Sequence, residues 1–164
     1  MRGGLEGTYM LRINKNTLIN DEKIECICEY GSKALIKLVK EGEKNGNIRK
    51  LKGRYGYNSF IILDDGYMIL CSNNPAVYFK RQNMDRYIVI SPKRHAIKQS
   101  MVREITSKPN AGQHRDIMKA KGDGRFINLS GSKKTYYYIF TINNHIYGTN
   151  TLWDMSELSK GVEQ

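Results

Sequence analysis

The sequence has little that could staple or ligate it. It has three cysteines, at 26, 28 and 71. An odd count with one residue between the first two argues against both a disulfide scaffold and a zinc finger. No apolar run approaches the roughly 20 residues of a membrane span. The first ten residues lack a basic region followed by an apolar core, so no secretory signal is expected. A reducing cytoplasm is the expected location, with no membrane partner, no metal and no cofactor. No catalytic spacing stands out. There is no His-x-x-x-His, no paired carboxylates and no nucleophile motif, and Asp64-Asp65-Gly66 reads as a turn.

Acidic residues are also scarce. Lys and Arg number 27 against 16 Asp and Glu, for a net charge of +11. A field of that sign attracts polyanions. The charge is clustered. Residues 37–54 hold seven basic and two acidic residues, and residues 93–134 hold eleven basic and three acidic ones. With 40% hydrophobic and 26% charged residues, the chain is expected to fold.

Along the chain, Leu11–Ile13 and Leu18–Ile19 flank a polar turn. Ile24 to Glu29 alternates with period two, which predicts a strand with Cys26 and Cys28 inside and Glu25, Ile27 and Glu29 on the other face. Ser32 is a helix N-cap and Gly46 a C-terminal cap around an amphipathic helix over 33–45, with Leu35, Ile36, Leu38 and Val39 on its apolar stripe. Ser59–Leu63 and Tyr67–Cys71 form a hairpin across Asp64-Asp65-Gly66. Ala76–Arg81 starts a short helix, and Tyr87–Ile90 is a strand. Lys93–Ser107 reads as a helix with Ile97, Met101, Val102 and Ile105 on one face. Lys108–Gly124 reads as a loop with one helical turn. Arg125–Leu129 and Thr135–Ile142 are strands joined across Gly131–Lys134, and Asn143-Asn144 turns into a return strand at His145–Tyr147. The end is weakly helical from Thr151. No internal repeat is evident. The expected class is α+β: a small sheet with one packed amphipathic helix over 11–82, then a second basic α+β unit with antiparallel hairpins over 83–164. A small β-barrel of the KOW or Tudor kind around 48–72 is the structural alternative.

The order of features over 11–81 resembles the RemA/RemB family of small bacterial DNA-binding regulators of extracellular-matrix genes. The matching stretches are Asn16–Ile24, Ser32–Val39, Asn45–Ile48, Ser59–Asp64, Tyr67–Ser72 and Pro75–Val77 leading to Arg81. The resemblance implies a compact α+β unit that forms a ring-like homo-oligomer and binds DNA at repeated sites. It also implies arginines supplied by a Gly-Arg pair before the hairpin, which Gly53-Arg54 matches. The next positions, Tyr55, Gly56, Tyr57 and Asn58, depart from the family's basic run.

Independently of that resemblance, glycines at 53 and 56 let backbone approach a phosphate. Arg54 suits bidentate bonds to phosphate or guanine. Tyr55 and Tyr57 can bond phosphates or stack on bases. The candidate nucleic-acid contacts are Arg49, Lys50, Lys52, Arg54, Tyr55 and Tyr57 in the first unit. Lys93, Arg94, Lys98 and Arg103 follow on the expected helix, and Lys133 and Lys134 lie beside Tyr136–Tyr138. The expected function is a non-enzymatic, nucleoid-associated regulator that holds double-stranded DNA by its phosphates. The alternatives are a phage-type modifier acting on an acidic host protein, and a metal-independent ribonuclease using His95 or His114.

Overall fold

The computed structural model describes residues 9–54, 56–82 and 84–153. The elements are β1 (Met10–Asn14), β2 (Thr17–Asn20), β3 (Ile24–Glu29), α1 (Lys33–Asn45), β4 (Ile48–Leu51), β5 (Ser59–Leu63), β6 (Met68–Cys71) and α2 (Pro75–Arg81). They continue as β7 (Tyr87–Ser91), β8 (His95–Lys98), β9 (Val102–Thr106), α3 (Ala111–Asp123), β10 (Phe126–Asn128), β11 (Tyr137–Thr141) and β12 (Ile146–Thr149). The fold is α+β. Strands order as β4-β6-β5-β3-β8-β7 in a six-stranded sheet and β10-β12-β11-β9 in a four-stranded one, with β1-β2 as a separate hairpin.

Local signals explain the first unit. The Ser32 side chain accepts from the Leu35 N–H, and Gly46 closes α1 in the left-handed region at φ 74°. Gly66 turns the β5–β6 hairpin at φ 88°. Leu35 and Val39 pack against Cys26, Cys28 and Phe60, in a core that continues into Ile127, Ile139 and Tyr147 of the second sheet. The other face of the large sheet holds Ile27, Ile61 and Ile69 against β1-β2 and Tyr78 of α2.

The second half departs from expectation in three places. Lys93–Ser107 is not a helix but the strands β8 and β9 around one 3-10 turn. Pairing to β3 and β11 outweighs its helical spacing. The stretch after Lys108 is not a loop. It contains α3, opened by a capping box in which the side chains of Asn110 and Gln113 bond reciprocally to each other's backbone N–H. Finally, β10 and β11 do not form a hairpin across Gly131–Lys134, because β10 pairs parallel to β12.

Those corrections uncover a repeat. Shifting β2, the following 3-10 turn, β3, α1, β4, β5 and β6 by 78 positions lands on β8, a 3-10 turn, β9, α3, β10, β11 and β12. The sheet order β4-β6-β5-β3 becomes β10-β12-β11-β9, with the same parallel and antiparallel pairings. Backbone bonds repeat too. Asn47 N to Gly42 O becomes Arg125 N to Ala120 O, Asp64 N to Lys23 O becomes Ile142 N to Met101 O, and Asn58 N to Cys71 O becomes Tyr136 N to Thr149 O. Even irregularities recur. The register of β3 on β5 skips Glu25, and that of β9 on β11 skips Arg103, the equivalent residue. Between 17–71 and 95–149, only Ile19/Ile97, Ile27/Ile105, Gly46/Gly124, Leu51/Leu129, Gly53/Gly131 and Ile61/Ile139 are identical. The two units are joined by pairing: β8 of the second lies antiparallel beside β3 of the first.

Candidate nucleic-acid interface

The most ordered run of charge lies on α1. Lys33, Lys37, Lys40 and Lys44 are all exposed. Their 4-3-4 spacing holds them within about 60° of one another on a helix of 3.6 residues per turn, opposite buried Leu35, Val39 and Gly42. The row spans about 16 Å at 1.5 Å per residue. None of the four forms an ion pair among the described residues. The first turn holds Lys33 and no acidic residue. A cation there works against the helix dipole at a cost of about 0.3–1 kcal/mol. Helix stability therefore does not account for Lys33, whereas Lys44 in the last turn suits the dipole. The heptad-like spacing of the row is legible in the sequence, yet the candidate contacts named from the sequence in this unit lie in β4 and the loop beyond it.

The start of α1 meets two turns of the second unit. A cavity of about 220 Å³ is lined by Ser32, Arg94, His95, Asn128 and Gly131, among others. This places the β7–β8 turn, with exposed Lys93 and Arg94, and the turn carrying exposed Lys133 and Lys134, around the N-terminal end of the lysine row. Arg94 is neutralised by Glu29 at 2.9 Å. Lys134 lies over the exposed Tyr136 ring at 5.7 Å.

The remaining candidates scatter. Arg49 and Lys50 alternate along the edge strand β4. Lys50 is paired with Glu43 of α1 at 2.8 Å, and that hydrogen bond raises its ammonium pKa. Lys52 and Arg54 are exposed beside Gly53, whose backbone presses on Ser72: a Cβ there would fall 2.6 Å from the Ser72 Cβ. Tyr57 is half-buried against the core rather than presented to a base. Tyr55 lies outside the described residues. Arg103 stands over the Phe140 ring at 5.7 Å, 3.5 Å from Glu104.

Lys98 is a correction. It is not on the outer face of a helix but buried in β8, 2.9 Å from the Asp21 carboxylate and above the Tyr87 ring. Burial pushes its pKa down, and Asp21 only partly offsets that. Asp21 also accepts from the Tyr87 hydroxyl and from Gln82. This network is a joint between the two halves, since it ties the start of β3 to β7 and β8.

A second joint has no signature in the sequence. Glu25, expected on the strand's outer face, has no exposed surface. The bulge in β3 turns it toward the β11–β12 hairpin. There it accepts from Asn143 Nδ2 at 3.0 Å, from the Tyr147 hydroxyl and from His145 Nδ1 at 2.8 Å. Burial alone would raise its pKa, but the hydrogen bond and charge of His145, with Tyr147 and Asn143, bring it below its ordinary value. His95 is buried in β8 and accepts from the Glu29 N–H, while His114 is exposed on α3.

No three His, Cys, Asp or Glu side chains converge as metal ligands among the described residues. No helix among them is long and apolar enough to cross a membrane. Compared with known proteins, the chain matches no family model and no curated sequence.

Proposed function

We propose that this protein binds double-stranded DNA through its phosphates, without catalysing a reaction, as a regulator of the kind its first half resembles. The observation that carries the reading is the row Lys33, Lys37, Lys40 and Lys44, solvated and without ion-pair partners among the described residues on a chain of net charge +11. Duplex DNA offers one negative charge per roughly 1.7 Å of axis, so a row about 16 Å long faces several phosphates at once. Lys93 and Lys133 are exposed in the turns that meet the start of α1, and Lys52 and Arg54 add cations beyond β4. Lysines act as point charges without the planar fork that matches a base edge, so a grip made mainly on phosphates is largely independent of sequence.

The test is a salt titration of duplex binding by the intact chain and by a variant carrying K33Q, K37Q, K40Q and K44Q. Neutralising four phosphates contributes about −3.6 to the slope of log K against log salt. The variant should lose that much of the slope and bind at least a hundredfold more weakly at low salt. An unchanged slope refutes the reading. Retention of an acidic protein partner after nuclease treatment, with no duplex binding, would assign the row to that partner instead.

A further inference from the structure

The repeat leaves one junction filled and one open. Within the chain, the edge of β3 is covered by β8, with Cys26 opposite Ile97, Ile27 opposite Ala96 and Cys28 opposite His95. The equivalent strand of the second unit, β9, ends its sheet with one edge unpaired among the described residues. The equivalent of β8 is β2. It pairs only with β1, in a hairpin whose other edge is also unpaired among them. One chain therefore carries both halves of the junction, at opposite ends of the repeat.

We propose that β2 of a second copy of this chain adds to the edge of β9, reproducing between molecules the junction that β8 and β3 form within one. Carrying the internal register across places Glu104 opposite the partner's Ile19, Ile105 opposite the partner's Leu18 and Thr106 opposite the partner's Thr17. Burial supports this from both sides. Five of the six β3 residues are buried and none of β9 is. Leu18 and Met10 are 48% and 49% exposed on the hairpin, whereas the residues that hold their places by register at the filled junction, Ala96 and Tyr87, are 0% and 4% exposed.

Charge is also complementary. Glu25 is met across the filled junction by Asn143 and His145. The same shift turns Glu25 into Arg103 and Asn143 into the partner's Asp65. Both Arg103 and Asp65 are exposed in a single chain. The polarity of the pair is reversed, but the pair remains attractive. The interface joins two different surfaces, so it is heterologous and can propagate from chain to chain until the turn closes. It uses main-chain bonds along an edge, the mode of β-strand addition, and it stands whether or not the protein binds DNA.

The mass in solution tests this, measured by light scattering across a concentration series. The intact chain should exceed 18.9 kDa. L18D should shift it toward that monomer mass, with association weakened about a hundredfold. R103E and D65R should each weaken association about tenfold. Mixing the two variants should restore it. The glutamate introduced in one then meets the arginine introduced in the other, and the remaining junctions keep the native Arg103 and Asp65. All of these positions are solvated in the single chain, and circular dichroism confirms that each variant is folded. A monomeric intact chain overturns the proposal. So does unchanged mass in L18D and R103E, or a mixture that behaves as the average of its parts.

Discussion

The strands β3 and β9 do the same job in equivalent units and look unlike each other. β3 reads Ile-Glu-Cys-Ile-Cys-Glu and is buried on both faces, whereas β9 reads Val-Arg-Glu-Ile-Thr and is half-exposed. The backbone is shared down to the bulge, so the difference comes from neighbours. β3 lies mid-sheet with β5 and β8 on its edges, and β9 closes its sheet. One bulge consequently turns a carboxylate into a dry joint, and the other turns a guanidinium into solvent. A β-bulge aims a side chain, and its surroundings decide which chemistry can be aimed there.

Substitutions at equivalent positions sharpen that contrast. The largest effect is expected at Lys98 and its counterpart Asn20. Lys98→Ala strands the buried Asp21 carboxylate and should cost about 3–5 kcal/mol, seen as a fall of roughly 10 °C in Tm. Asn20→Ala removes only the side-chain acceptor for the Glu22 N–H and should cost about 1 kcal/mol. Equal losses would refute the joint.

Next come Glu25 and Arg103. Glu25→Ala leaves the polar groups of Asn143, His145 and Tyr147 without their acceptor and should cost about 2–4 kcal/mol. Arg103→Ala should change the stability of the single chain by less than about 0.5 kcal/mol. The Glu25 pKa is lowered on folding from an ordinary 4.5. Its stabilisation is therefore fully present above that value and is lost as pH falls through the folded-state pKa. Tm of the intact chain against pH should drop below about 4.5 more steeply than that of Glu25→Ala.

The smallest contrast is at Gly148, whose counterpart is Leu70. A Cβ at Gly148 would lie 2.5 Å from Phe126 Cζ. In the first unit the smaller Ile48 stands in place of Phe126 and leaves room for Leu70. Gly148→Ala should cost about 1–2 kcal/mol, and Phe126→Ile in the same chain should recover part of it; chemical denaturation reads both.

The first unit is legible in the sequence because its local signals agree with its fold. Ser32, Leu35, Val39 and Gly46 bound and orient a helix, and Asp65-Gly66 marks a hairpin. The second unit hides the same fold. Gln113 replaces Leu35 and Asp116 replaces Leu38, so α3 keeps only Ile117 and Ala120 buried and shows almost no apolar stripe. Pro109, Gly112 and Gly122 add the look of a loop. The repeat is hidden for the same reason, since strand order and backbone bonds persist while identities fall to six scattered residues. Period-two alternation also misplaces Glu25, because a bulge resets the alternation without a mark in the sequence.

The sequence by itself determined the charge, the α+β class, the caps of α1 and the row of lysines opposite its core, because helical spacing and net charge are properties of the chain alone. Only the tertiary structure decided which cations are free. Lys50, Arg94 and Lys98 meet Glu43, Glu29 and Asp21 from separate elements of the fold, and a carboxylate within about 4 Å decides whether a cation is available to a phosphate.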